Sequence, residues 1–88
     1  MDTSNIFSIK TSNKQIAELE ITESSIKCII GNDIQFNILL NCLRSYAQIK
    51  PNHILFNFHE NNQLYQVVII SKNCMNIINT LDSIIKKD

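Results

Sequence analysis

The sequence predicts an α+β domain: an antiparallel sheet of about five strands with two helices packed on one face, in the order β-β-β-α-β-β-α. Three patterns predict it. Apolar and polar residues alternate with period two through residues 15–22; apolar residues recur at helical spacing through 34–49 and 74–85; and two β-rich runs flank Asn61-Asn62, a hairpin-turn sequence. Strands joined by short polar turns, with helices returning to one side, give an antiparallel sheet with one covered face.

The first strand is expected over residues 5–11, where β-formers run into the turn-prone Thr-Ser-Asn-Lys. From Gln15 onward, Ala17, Leu19 and Ile21 point one way and Glu18, Glu20 and Thr22 the other, as a half-buried strand requires. Glu23, Ser24 and Ser25 read as a polar turn, and Ile26 to Ile30 as a third strand with Ile26, Cys28 and Ile30 on one face. Gly31-Asn32-Asp33 stops that strand. Asn32 or Asp33 can cap a helix beginning at Ile34, in which Phe36, Leu39, Leu40, Leu43, Tyr46 and Ala47 make an apolar stripe. Pro51 ends that helix by about Ile49, because proline disfavours helical geometry in the residue before it.

A hairpin follows, with HILFNFHE and QLYQVVIIS on either side of Asn61-Asn62. A two-residue turn sets Phe58 against Tyr65, Phe56 against Val67 and Ile54 against Ile69, pairs that face the core. Ser71 or Asn73 caps a final helix with Cys74, Ile77, Ile78, Leu81, Ile84 and Ile85 on one stripe, and Lys86 and Lys87 suit the negative end of its dipole. FNILLNCLRS (36–45) and MNIINTLDS (75–83) resemble each other, which suggests a hairpin-plus-helix unit used twice. The predicted element order resembles that of small dimeric secretion chaperones, a likeness of element order carried by no residue motif.

Length and composition bound the function. The 88 residues allow one hydrophobic core, hence a single domain over 1–88, and domains this small often lean on a partner subunit. Eight basic residues balance eight acidic ones and are scattered, so no electrostatic footprint for nucleic acid or an anionic membrane is present. The amino-terminal MDTSNIFSIK lacks the features of a secretory or transit segment, and no run approaches membrane-spanning length. Three cysteines without paired short spacings fit a reducing compartment, so the expected location is cytoplasmic.

The informative surface is the second face of the 53–71 hairpin. It carries His53, Leu55, Asn57 and His59 on one strand and Leu64, Gln66, Val68 and Ile70 on the other. Half of these are large and apolar, whereas a sheet face turned to water is normally polar. His53, Leu55, Leu64, Gln66, Val68 and Ile70 are therefore the expected partner-binding residues, with a protein partner or a second copy as the cover. The plainer reading is that the amino-terminal strand folds over this face.

Catalytic and cofactor chemistry is not indicated. His53 and His59 stand six residues apart on one strand, about 20 Å, too far to share an ion. Cys28, Cys42 and Cys74 lack metal-knuckle spacing and read as buried small hydrophobes, although Cys74 near a helix start would feel the dipole that activates thiols. Glu18 and Glu20 share a solvated strand face without cleft-forming loops. One glycine excludes a glycine-rich phosphate loop, and no hydrolase, zincin or deaminase motif occurs. No metal or cofactor is expected. The reading is a non-enzymatic protein-interaction module (an adaptor, inhibitor or chaperone-like subunit) acting through a sheet face or edge, and dimeric. Two alternatives stand beside it: a nucleic-acid-binding domain stacking bases on Phe56, Phe58 or Tyr65, and a small enzyme with a polar pocket around His53 or His59.

Overall fold

A computed structural model describes residues 5–85 of the chain. It contains seven strands: β1 (Asn5–Thr11), β2 (Ile16–Ile21), β3 (Ser25–Ile30), β4 (Asp33–Leu39), β5 (Leu43–Lys50), β6 (His53–Glu60) and β7 (Gln63–Ile70). A single 3-10 turn, Leu40–Cys42, separates β4 from β5, and one helix, α1 (Cys74–Ile85), closes the described chain. All strand pairings are antiparallel, in the order β4-β3-β2-β1-β7-β6-β5.

The fold class expected from sequence is therefore corrected: seven strands and one helix replace five strands and two helices. The residues expected to form the first helix are β4, the 3-10 turn and β5. Gly31, at φ 62°, and Asn32 form a two-residue hairpin turn between Ile30 and Asp33, so neither Asn32 nor Asp33 caps a helix. Phe36 and Ile38 then face inward at strand spacing, while Ile34 stays 57% exposed. In β5 the pairing slips by one residue between Leu43 and Ser45, so that Leu43 faces Phe58 and Tyr46 faces Phe56. That bulge brings two residues three apart to the same face, a spacing that reads as helical in sequence. Pro51 ends a strand rather than a helix; with Asn52 at φ 68° it turns β5 into β6.

The other elements lie where the patterns put them. Ala17, Leu19 and Ile21 of β2 are buried. β3 begins one residue early, at the buried Ser25, because Thr22 Oγ1 accepts the backbone N–H groups of Ser24 and Ser25 and holds the turn tight. Asn61 and Asn62 both adopt positive φ (53° and 66°), the geometry of a two-residue hairpin whose twist matches its strands. The facing pairs Phe58–Tyr65, Phe56–Val67 and Ile54–Ile69 are all present. Lys86 and Lys87, expected at the helix end, lie outside the described residues.

The buried residues form one cluster: Ile9, Ala17, Leu19, Ile21, Ile26, Cys28 and Ile38 from β1–β4, Ile54, Phe56, Phe58 and Ile69 from β6–β7, and Cys74, Ile77 and Leu81 from α1. Strands far apart in the order share it, so the sheet bends over on itself and α1 closes the gap on the inner side. The bend is at β1, which pairs with β7 only through Lys10–Ile70 and Thr11–Ile69 before turning away into β2. The buried Ser71 fastens this junction. Its Oγ donates to the Ser8 carbonyl (3.1 Å) and accepts the Asn73 N–H (3.0 Å), while its own N–H donates to the Asn52 carbonyl (2.7 Å). The resemblance to secretion chaperones rested on the two-helix order and falls with it. So does the suggested duplication, since 36–45 is strand, turn and strand while 75–83 is helix.

Candidate functional site: the outer face and free edge of the last hairpin

Alternation along β6 and β7 puts His53, Leu55, Asn57 and His59 opposite Ile70, Val68, Gln66 and Leu64 on the face turned away from the core. His53, Leu55, Val68 and Ile70 are half-buried, Gln66 is exposed, and Leu64 is 59% exposed. All six expected partner-binding residues thus share one surface. Neighbouring strands extend it: Ala47 of β5 sits beside Leu55, and Lys10 and then the 79%-exposed Ile16 continue the row from Ile70. The amino-terminal strand does not lie over this face, because β1 is in the sheet beside β7. The helix does not cover it either, since its buried side chains join the core cluster.

β7 contributes a second feature. β1 turns away after Thr11, so among the described residues the side of β7 away from β6 has no hydrogen-bonded strand partner from Gln63 to Val68, and Gln66 to Ile69 share a cleft with Thr11, Ser12, Gln35 and Phe36. Sequence reasoning anticipated an open edge without placing it. Its location depends on where β1 leaves β7, which no local pattern records.

The polar groups here are mostly occupied. Asn57 Nδ2 donates to Ser45 Oγ at 2.8 Å, while Asn57 Oδ1 is buried without a hydrogen-bond partner. His53 Nδ1 lies 2.8 Å from the Pro51 carbonyl, which can only accept, so Nδ1 carries the proton and Nε2 is the free nitrogen. Tyr65, 41% exposed, stacks on Phe58 with ring centroids 5.7 Å apart and donates to Gln63 Oε1.

The other chemistry-bearing residues are dispersed. His53 and His59 sit near opposite ends of β6. Cys28 and Cys74 are buried, and burial pushes both thiols above the ordinary cysteine range; at Cys74 a backbone hydrogen bond at Ser71 opposes the rise. Position at a helix start therefore does not produce an exposed thiolate there. Among the described residues, no three His, Cys, Asp or Glu side chains come together as a metal site needs. Cys42, His59 and Glu60 line an open depression of about 470 Å³ between β4 and the β6–β7 tip, but no hydrogen bond joins any two of them. Phe56 and Phe58 are buried, which removes two of the three aromatics that base stacking would use.

No family model matches this chain, and no curated protein matches it either. Among solved structures, the chain is similar to the FERM and C-terminal domain complex of Drosophila Merlin, with a TM-score of 0.72 and 15% identity over 92% of this chain. It spans 27% of that chain's length. Among the described residues no helix is long and apolar enough to cross a membrane. At this identity the likeness bears on the fold alone, a bent seven-stranded antiparallel sheet followed by a helix.

Proposed function

We propose that this chain is a non-enzymatic protein-interaction module, an adaptor or inhibitor of cytoplasmic location, that docks partners on the outer face and free edge of its last hairpin and dimerises there. One observation carries the reading: among the described residues, Leu55, Leu64, Val68 and Ile70 lie on a sheet face that neither the helix nor any other strand covers, beside a strand segment without a ladder partner on its other side. Apolar side chains left over after the core is built, next to backbone groups free to pair, are what strand-addition sites offer. Full burial of one such side chain is worth about 1.5–3 kcal/mol, so the half-buried ones add less each and the exposed Leu64 adds most. The fold supports the reading, because the similar structure is that of a complex between protein domains.

The test is affinity capture from the source organism's lysate with mass-spectrometric identification, beside Val68→Asp and Leu64→Asp. A protein retained by the parent chain and lost from both variants is the expected result. Equal retention by all three, with the variants folded, would refute the site.

A further inference from the structure

We infer that the depression where β1, β7 and the start of α1 meet receives an apolar side chain of an acidic peptide segment, whose flanking carboxylates lie against Lys10 and Lys72. The inference rests on the interaction reading above and names the chemistry of the partner.

Cross-strand pairing lines up one row of side chains on the outer face. Lys50 of β5 stands opposite His53 of β6, His53 opposite Ile70 of β7, Ile70 opposite Lys10 of β1, and Lys10 opposite Ile16 of β2. Residues opposite each other in a ladder point to the same face, so the row is continuous across these strands. At its Ile70 to Ile16 end lies an open depression of about 430 Å³, lined by both isoleucines, Lys10 and Lys72 among others. Ile16 is 79% exposed and Ile70 half-buried, so aliphatic surface stands open to water inside a concavity. A partner's apolar side chain seated there removes both from solvent.

The charges around the depression are of one sign. Lys10 and Lys72 are exposed, and among the described residues no carboxylate lines it. Glu18, two residues beyond Ile16 on β2, sits opposite Ser8 and Ile29 instead. Glu60 stands at the far tip of the β6–β7 hairpin, and Asp82 accepts the Tyr46 hydroxyl. Whatever covers Ile16 and Ile70 therefore brings its own groups against two ammonium groups. Carboxylates gain from that approach, and cations are repelled. The shape favours a peptide over an anionic bilayer. A flat surface does not enter a depression, and laid across this face it presses on Glu18 and Glu20, which share the outer side of β2 with Ile16.

The probe is a fluorescein-labelled peptide with Leu-Phe at its centre and Asp and Glu on both sides. Two control peptides carry Lys at every acidic position, or Ser-Ser in place of Leu-Phe. Fluorescence anisotropy with protein up to about 1 mM, a range that reaches weak complexes, compares the parent with the double variant Lys10→Glu, Lys72→Glu. Both lysines are exposed, and circular dichroism checks that the variant is folded. The parent is expected to bind the acidic Leu-Phe peptide about tenfold more tightly than either control, and more weakly as salt rises from about 50 to about 300 mM. The double variant is expected to lose about tenfold in affinity for the acidic peptide and to gain affinity for the Lys peptide. No binding of the acidic peptide by the parent, equal affinity for either control peptide, or unchanged affinity in the folded double variant would each overturn the inference. So would co-sedimentation with phosphatidylserine vesicles by a parent that ignores the peptide, which would assign the lysines to a membrane. Retention of a lysate partner by the double variant and its loss from Val68→Asp and Leu64→Asp would leave the interaction reading standing while this one fails.

Discussion

Replacing Ser71 with alanine tests whether the junction of β1, β7 and α1 is held as the geometry indicates. Ser71 is 4% exposed, and its hydroxyl makes two bonds, to the Ser8 carbonyl and from the Asn73 N–H. Alanine keeps the backbone bond to Asn52 and removes both others. Each hydrogen bond contributes about 0.5–1.5 kcal/mol net, and groups left without partners near the core add to the cost, so Ser71→Ala is expected to lose about 2 kcal/mol. In a domain of this size each kcal/mol moves Tm by about 4–8 °C, which places the melting point about 8–16 °C lower. Urea and thermal unfolding followed by far-ultraviolet circular dichroism measure it. The control is Ser83→Ala on the exposed side of α1, where the hydroxyl only donates back to the Thr80 carbonyl; it should stay within about 0.5 kcal/mol of the parent. A Ser71→Ala protein melting within about 2 °C of the parent would show that the junction is held by side-chain packing alone.

Two further expectations address the strand–helix contact and the hairpin turn. The Tyr46 hydroxyl on β5 donates to the Asp82 carboxylate on α1, and burial, that bond and the adjacent negative charge push its pKa up to about 12 from 10.0. The neutral phenol is therefore favoured by folding: its stabilisation is complete below about pH 10 and is lost as pH rises toward about 12, so the advantage of the parent over Tyr46→Phe in urea midpoint should shrink across that window. A constant difference would refute the assignment. Asn62 sits at φ 66°, where a β-branched residue is strained, so Asn62→Val should cost about 1–2 kcal/mol in urea unfolding while Asn62→Gly holds or gains; equal midpoints for the two would contradict the turn geometry.

The candidate face was legible in sequence because it depends on local information alone. A two-residue turn at Asn61-Asn62 fixes the register of β6 against β7, and the register fixes which residues share a face, so placing Leu55 with Val68 and His53 with Ile70 needed no knowledge of the rest of the chain. The edge was legible only in kind. Among the described residues Gln63 to Val68 lacks a second ladder partner because β1 meets β7 at Lys10 and Thr11 and then turns, with the Lys14 N–H on the Thr11 carbonyl. Pairing between residues about sixty positions apart has no local signature. Sequence reasoning also missed the role of Ser71 in joining β1 to the helix start, since a serine before a helix reads equally as an ordinary cap.

The resemblance between FNILLNCLRS and MNIINTLDS shows why the middle of the chain misled. Both segments space apolar residues at three and four, yet one is helix and the other is not. In the second, the stripe of Cys74, Ile77 and Leu81 is continuous, and the chain enters it through the Ser71 turn with no competing partner strand. In the first, the same spacing is assembled from separate causes: strand alternation puts Phe36 and Ile38 inward, the 3-10 turn advances the chain by three residues, and the bulge sets Leu43 and Tyr46 on one face. Gly31-Asn32 and Pro51-Asn52 decide between them. Each is a two-residue turn sequence abutting an apolar run, and the flanking strands β3 and β6 offer ladders, interrupted only by bulges, to β4 and β5. An isolated helix over these residues would leave those ladders unpaired and the inner faces of Cys28 and Phe56 without their neighbours Phe36 and Tyr46. Periodicity measures which residues can share a face; the turns on either side determine which geometry makes them do so.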